Sequence, residues 1–485
     1  MTRLRERIMK EPSENTTKAW VLALTGVASS MVALDALVVA TALSAIRRDF
    51  GASIEALEWT VNAYNLSFAV LLLTGAALGD RYGRRRLFVT GLGLFVAASA
   101  ACALASSVGW LIAARAVQGA GAALVMPLAM ALLSASFPRE ERGKALGIFS
   151  GLTGFALIAG PVVGGAVAEG VAWPWIFWIN VPIGLVAIPL ARRRIPESRG
   201  PGTAIDVPGV ALVTGAALAA VWGLMRGNAA GWTSHEVISA LATGLLLAGA
   251  FVAWELRAAA PMAPMRFFRS RAFSSGIAAS FLFYAAMYGT LFLLPQFLQT
   301  AQGHGPLGAG LRLLPWTATT FIVAPIAGRL VERIGERPLI VLGVLLQAIG
   351  MGWIGLIAAP DLAYLRLVVP LIIAGAGVSM AMPAAQNAVF GAVAPSEVGQ
   401  ASGMFNMLRF LGGAFGVAIL VAAFAATGSL ASPAAFGTGF TTAIGVAAAL
   451  SLAAAIAGMW QPTRRKLVLP PTEAFTAATA ARNAP

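Results

Sequence analysis

The chain of 485 residues has one cysteine, Cys102, two histidines, His235 and His304, and charged side chains at only 11% of its positions. A single cysteine excludes an intramolecular disulfide. The two histidines lie far apart, and no Cys or His cluster has the spacing of a metal site, so no metal is expected. There is no Gly-x-x-x-x-Gly-Lys-Ser/Thr run, which argues against nucleotide hydrolysis at a P-loop, and no cofactor is expected. A membrane enzyme acting on lipids would need a convergent nucleophile, base or metal set, and the sequence offers none. So little charge cannot cover a soluble protein of this length.

Apolar residues stand in its place, at 58% of positions. A helix of about 20 apolar residues crosses roughly 30 Å of hydrocarbon. Such runs fall near 19–46, 58–78, 88–108, 110–133, 145–168, 173–191, 207–225, 237–256, 272–296, 309–331, 338–358, 366–390, 402–426 and 438–460, predicting fourteen spans. They lack the alternating polar period of membrane strands, so the expected class is an all-α polytopic membrane protein.

The basic residues gather on one face. The N-terminal tail has Arg3, Arg5, Arg7, Lys10 and Lys18, and later loops of the same side bring Arg81, Arg84 to Arg86, Arg139, Arg142, Lys144, Arg192 to Arg194 and Arg199. Arg257, Arg266, Arg269, Arg271, Arg329, Arg333, Arg337, Arg464, Arg465, Lys466 and Arg482 continue it. Cytoplasmic loops carry such an excess, so both termini are expected in the cytoplasm of a multi-pass protein of the cell membrane. This bias, with attraction to anionic lipid headgroups, accounts for the net charge of +14; a nucleic-acid role would need a basic folded domain, and none is present. The first apolar run is too long for a cleaved leader and reads as a retained span.

The sequence also repeats itself. Gly119, Gly121, Met126 and Pro127 return about 256 residues later as Gly375, Gly377, Met382 and Pro383, and Glu141, Gly143, Ala145, Gly147 and Phe149 return as Glu397, Gly399, Ala401, Gly403 and Phe405. Leu78, Asp80, Arg81, Gly83 and Arg85 are echoed by Leu330, Glu332, Arg333, Gly335 and Arg337. That offset crosses eight spans, an even number, so the halves run the same way as parallel repeats, a pattern of secondary transporters. The division expected is a tail at 1–18, a six-helix bundle at 19–191, linker loops and two additional spans at 192–271, a second six-helix bundle at 272–460 and a tail at 461–485, rich in Ala, Pro and Thr. The stretch from Pro196 to Gly202 reads as a linker.

Four places carry chemistry that an apolar span would otherwise exclude. Asp35 is the one carboxylate placed well inside the hydrocarbon, where an ionised acid is costly and is functional by default. Arg115 puts a guanidinium in span 4, either facing a cavity or partner or snorkelling to the surface. Asp35 is read either as a group that gains and loses a proton as its exposure alternates or as half of a structural ion pair. In span 5, Gly160, Pro161, Gly164 and Gly165 combine a kink with close helix approach. Between spans 2 and 3, Asp80, Arg81, Gly83, Arg84 and Arg85 form a tight turn that needs a glycine where φ is positive. Asn62, Tyr64, Asn65, Gln118, Tyr284, Tyr288, Gln386, Asn387, Asn406 and Arg409 are the polar and aromatic candidates for a central cavity, though each alone reads equally as glue between helices.

Residues 78 to 88, LGDRYGRRRLF, closely resemble the signature loop of the major facilitator superfamily, with Ala76 where the family usually has Gly. The pattern around Arg115 is similar to the family's span-4 motif, which the resemblance links to proton transfer. The Gly160 to Gly165 stretch resembles the motif of its antiporters, and its second-half counterpart from Gly416 lacks the proline. LDALVVATALSAI around Asp35, EWTVNAYNL from Glu58, WPWIFWINVPIG from Trp173 and FLQTAQGHGPLGAGLRLLP from Phe297 resemble the fourteen-span drug/proton antiporter branch, with Ala40 and Ser44 departing from it. The resemblance implies a monomer with two rocking bundles, exchanging protons for a small lipophilic substrate, neutral or monocationic because the second half offers no midmembrane carboxylate. A dedicated exporter of one endogenous metabolite and a non-transporting sensor of the same fold remain alternatives.

Overall fold

The computed structural model describes residues 14–200, 205–394 and 397–463. Most of the N-terminal tail and nearly all of the C-terminal tail lie outside the described residues, as does the middle of the loop before span 7. Among the described residues, fourteen helices are long and apolar enough to cross a membrane. Spans 1 to 7 are Asn15–Phe50, Ile54–Tyr82, Arg84–Ala103, Val108–Ser136, Lys144–Gly170, Trp175–Arg194 and Val207–Ala230. Spans 8 to 14 are His235–Glu255, Arg271–Ala301, Pro306–Ile334, Glu336–Ile357, Tyr364–Phe390, Val398–Thr427 and Pro433–Met459. No strand occurs among the described residues.

Local chemistry sets where the helices start. Ser53, Ser107, Ser234, Ser270 and Ser432 each accept a hydrogen bond from the backbone N–H three residues on, and Asp206 does the same for Gly209. Each satisfies one of the N–H groups a helix start leaves without an intrahelical partner. Span 3 ends at Ala103, short of the 108 expected, because Leu104 to Ser107 form the turn that caps span 4. The last turn of span 9 widens into a π-helix, Phe297–Ala301.

The repeat is visible in the packing. A Cβ on Gly119 of span 4 would strike the Tyr64 carbonyl group of span 2, and one on Gly375 of span 12 would strike the Trp316 carbonyl group of span 10. Gly121 sits equally tight against Phe95 of span 3, and Gly377 against Gln347 of span 11. Backbones can touch there only because no side chain intervenes, which is how helices associate where water supplies no drive. The turns after spans 2 and 10 also match, with Gly83 at φ 113° and Gly335 at φ 82°. Spans 1 to 6 and 9 to 14 are therefore two bundles related as parallel repeats. Span 7 lies against spans 2 and 13, where Asn228 donates to the Ala422 carbonyl, and span 8 packs on span 7.

An even number of crossings puts both ends of the described chain on one face, called here the terminal face; the other is the far face. Hydrogen bonds between the bundles gather toward the far face. Gln299 in the π turn receives the Ser44 hydroxyl and donates to the Thr41 carbonyl at 3.0 Å, and the Leu307 N–H donates to Glu169 at 2.8 Å. At mid-depth the rings of Phe68 and Phe410 meet at 4.2 Å.

Candidate functional site

Spans 1 and 4 bring Asp35 and Arg115 together. The pair is completely enclosed, at 0% and 1% exposure, and Arg115 Nη1 donates to Asp35 Oδ2. The snorkelling alternative for Arg115 is thereby removed. Asp35 Oδ1 accepts from Gln118 Nε2 at 2.9 Å and from Asn180 Nδ2 at 3.1 Å. Arg115 also donates through Nη1 to Gln118 Oε1 at 2.7 Å and through Nε to the Thr60 carbonyl at 3.2 Å. Its guanidinium carbon stands 4.2 Å from the Tyr64 ring centre, a cation over a π face. Asn180 and Gln118 share the Ser99 hydroxyl, at 3.0 and 3.3 Å.

The arrangement is a buried ion pair in which both Asp35 oxygens are hydrogen-bonded, and every contributor belongs to the first bundle. A buried pair of this kind tolerates low polarity only while both charges are present. Neutralising either member would leave the other charge uncompensated in its enclosed site. Asn180 and Ser99 escaped the sequence reading: Asn180 stands inside WPWIFWINVPIG, the one amide in an aromatic run, and that polarity was the available signal.

The cavity candidates separate. Gln118 is committed to the ion pair rather than to open space. Tyr64 is enclosed beneath Arg115, its hydroxyl donating to the Val32 carbonyl at 3.3 Å. Asn62 and Asn65 are buried on the same helix. Tyr284 and Tyr288 are buried in span 9, and Arg409 of span 13 lies over the Tyr284 ring at 4.7 Å. Gln386 is half-buried, and Asn406 turns its amide back to the Ser402 carbonyl at 2.9 Å. Asn387 does not belong to the centre: it is exposed near the end of span 12 and donates to Glu336 at 2.9 Å at the terminal face. The rotation of about 100° per helical residue turns it away from its neighbour Gln386. Asp35 is also not the one enclosed carboxylate, because Glu58 in span 2 is 1% exposed.

The span-5 motif forms a seam toward the far face. Gly160 and Gly164 rest on span 1, where a Cβ would lie 3.2 Å from Leu37 Cβ and 2.6 Å from Thr41 Oγ1. Gly165 faces span 10 of the other bundle, 2.8 Å from Leu307 Cα on the same measure, and Gly310 of span 10 returns the contact against the Pro161 carbonyl carbon at 2.9 Å. Beside this seam, burial and the Arg312 guanidinium hold the His304 imidazole below its ordinary titration range.

At the terminal face the loop after span 2 is clamped. Asp80 pairs with Arg84 at 2.7 Å, and Gly83 makes the positive-φ turn. Glu197 supplies what the sequence reading left as linker: its carboxylate accepts the Arg85 and Arg86 backbone N–H groups at 2.9 and 3.2 Å, capping span 3. Arg85 in turn donates to the Ile195 carbonyl at 3.2 Å. Arg81 is exposed and turns toward the Tyr82 ring.

The family model described as Major Facilitator Superfamily matches residues 25–417. The chain is 35% identical to the multidrug resistance protein Stp of Mycobacterium tuberculosis, across 85% of this chain and 77% of that one. It is 34% identical to the tetracenomycin C resistance and export protein of Streptomyces glaucescens, across 80% and 73%, and 35% identical to the cephamycin export protein CmcT of Amycolatopsis lactamdurans, across 87% and 88%. Among solved structures, an auto-inhibited POT family peptide transporter superposes with a TM-score of 0.67 at 15% identity, covering 94% of this chain and 98% of its own. The xylose transporter XylE from E. coli gives 0.61 at 15%, with the same coverage. These two likenesses concern the fold. With fourteen spans in two repeated bundles and relatives that are export proteins along most of its length, the chain is a multi-pass membrane transporter, not an enzyme, and belongs to the major facilitator superfamily.

Proposed function

We propose that the protein exports lipophilic small molecules, neutral or singly cationic, in exchange for protons, with its terminal face in the cytoplasm. The observation that carries this reading is the enclosed Asp35–Arg115 pair, held by Gln118 and Asn180 in a span system packed directly on the far-face seam. Relatives named for multidrug resistance and antibiotic export support the substrate class. Span 1 joins the two features, since Leu37 and Thr41 seat the span-5 glycines within two turns of Asp35. A proton on Asp35 would change the charge balance of the helix that holds the seam, and a proton returning down its gradient would supply the work, about 2.3 kcal/mol per charge per 100 mV from the electrical part. The two bundles would rock about a site between them, with the far ends together in the state described above.

The test is uptake of a lipophilic fluorescent monocation into inside-out vesicles under an imposed proton gradient. Uptake that collapses with a protonophore supports exchange. Binding of the dye without movement under any gradient would instead indicate a sensor.

One observation favours a second reading, a dedicated exporter of an acidic aromatic metabolite. Among the described residues no carboxylate lies within ion-pair distance of Arg409, whose Nε has no hydrogen-bond partner, and the rings of Tyr284, Tyr288 and Phe410 surround it. A lone cation among rings suits a planar anion. If that reading holds, Arg409→Gln abolishes transport of an aromatic carboxylate; for export of monocations the same change leaves dye uptake equal to or above that of the native protein.

A further inference from the structure

Glu58 and Asn62 stand one helical turn apart in span 2, both completely enclosed, and none of their four side-chain polar atoms has a hydrogen-bond partner. Buried polar groups are nearly always paired, and an ionised carboxylate without a partner is among the most costly things a protein can enclose. Where they point follows from helix geometry. Phe68 and Leu73 of the same helix reach span 13, at the Phe410 ring and at Gly403. With 3.6 residues per turn, Glu58, Asn62 and Asn65 fall on the arc between those two contacts, the face turned to the other bundle. Glu58 is one turn in from the start of span 2 and so lies toward the far face.

We propose that Glu58 is a second proton-binding site, distinct from the Asp35–Arg115 pair, and that the far ends of the bundles close over it only when it carries a proton. A neutral carboxyl group can be enclosed beside Asn62 at modest cost, whereas the carboxylate cannot, and among the described residues no cation pairs with it. Glu55, one turn outward on the same helix, is itself acidic and is engaged by Arg226 of span 7 at 3.8 Å, while Arg226 also binds Glu236 at 3.1 Å. Arg115 of span 4 is spent on Asp35, the carboxylate that span 1 presents, and Arg409 of span 13 lies deeper, over Tyr284. When the far ends part, Glu58 meets water, gives its proton to it and remains as a solvated carboxylate. Closure takes a proton back from the same side, so the site adds nothing to the number of protons moved across the membrane. It makes closure favourable in acid and unfavourable in alkali.

This rests on the reading that the bundles alternate, but not on which molecule is carried nor on Asp35. The experiment uses the full-length chain in lipid nanodiscs, with spin labels at Val171→Cys and Ala431→Cys in the far loops of the two bundles. The distance between them is measured from mildly acidic to alkaline pH, with and without the fluorescent monocation. The native protein is expected to shift from a short to a long distance as pH rises. Glu58→Gln, which has the shape of the neutral acid, is expected to keep the short distance throughout, and Glu58→Asp to retain a pH-dependent shift. A shift in Glu58→Gln equal to that of the native protein overturns the proposal, as does a native distance that responds to the dye but not to pH. A native distance that responds to neither would defeat alternation itself, and the gate with it.

Discussion

Replacing Asp35 by asparagine is expected to abolish gradient-driven export while the chain still folds into the membrane. Asparagine keeps the size of the side chain and an oxygen that can accept from Gln118 and Asn180, so the hydrogen bonds at 2.9 and 3.1 Å have a replacement partner. What it cannot replace is the charge opposite Arg115. Removing one member of a buried pair costs about 3–5 kcal/mol. The Gln118 oxygen, the Thr60 carbonyl and the Tyr64 ring face remain to hold the guanidinium, which places the loss toward the lower end. A double variant, Asp35→Asn with Arg115→Gln, separates the two roles. If the pair is only structural, the double variant recovers thermal stability and transport together. If Asp35 carries the proton, stability returns and gradient-driven uptake does not. Uptake by the single Asp35→Asn variant at the native rate would sink the coupling assignment outright.

A leucine at Gly165 is expected to hold the far ends apart. Its Cβ would fall 2.8 Å from Leu307 Cα, and backbone atoms cannot swing aside as a flexible side chain would. Overpacking of a tight contact costs about 1–3 kcal/mol. An equilibrium between far-closed and far-open states that differ by as little would be reversed by it. Gly147→Leu is the control, because nothing lies within 4 Å of a Cβ built there. The measurement is labelling of Ser44→Cys by a membrane-impermeant thiol reagent added at the far face. Labelling should be slow in the parent, several-fold faster with Gly165→Leu and unchanged with Gly147→Leu, and export should fail in the Gly165 variant alone. Equal labelling rates in all three would mean that the seam does not close the far side.

Much of this was legible in the residues. Span number follows from runs of apolar residues, because a bilayer demands a fixed length of them. Arg115 and Asp35 stood out because charge is so rare in those runs. The turn at Gly83 was readable because positive φ has few occupants. What stayed hidden depends on three-dimensional register. Glu197 looked like part of a linker, and only the fold brings it to the start of span 3. Asn387 looked like its neighbour Gln386, and one step of helical rotation sends it to the surface. Glu58 was quoted within a motif and passed over, since an acid four residues into a span reads as the edge of the membrane until the packing encloses it.

The paired glycine seats, Gly119 with Gly375 and Gly121 with Gly377, bear on which changes the two bundles tolerate. Helices that touch backbone to backbone leave no room for a Cβ, so at these positions even alanine overpacks the contact. Where side chains fill the space the bundles differ: the first holds Asp35 and Arg115, while the second holds Arg409 among tyrosines. The frame is thus shared at its backbone seats and individual in the chemistry that it encloses.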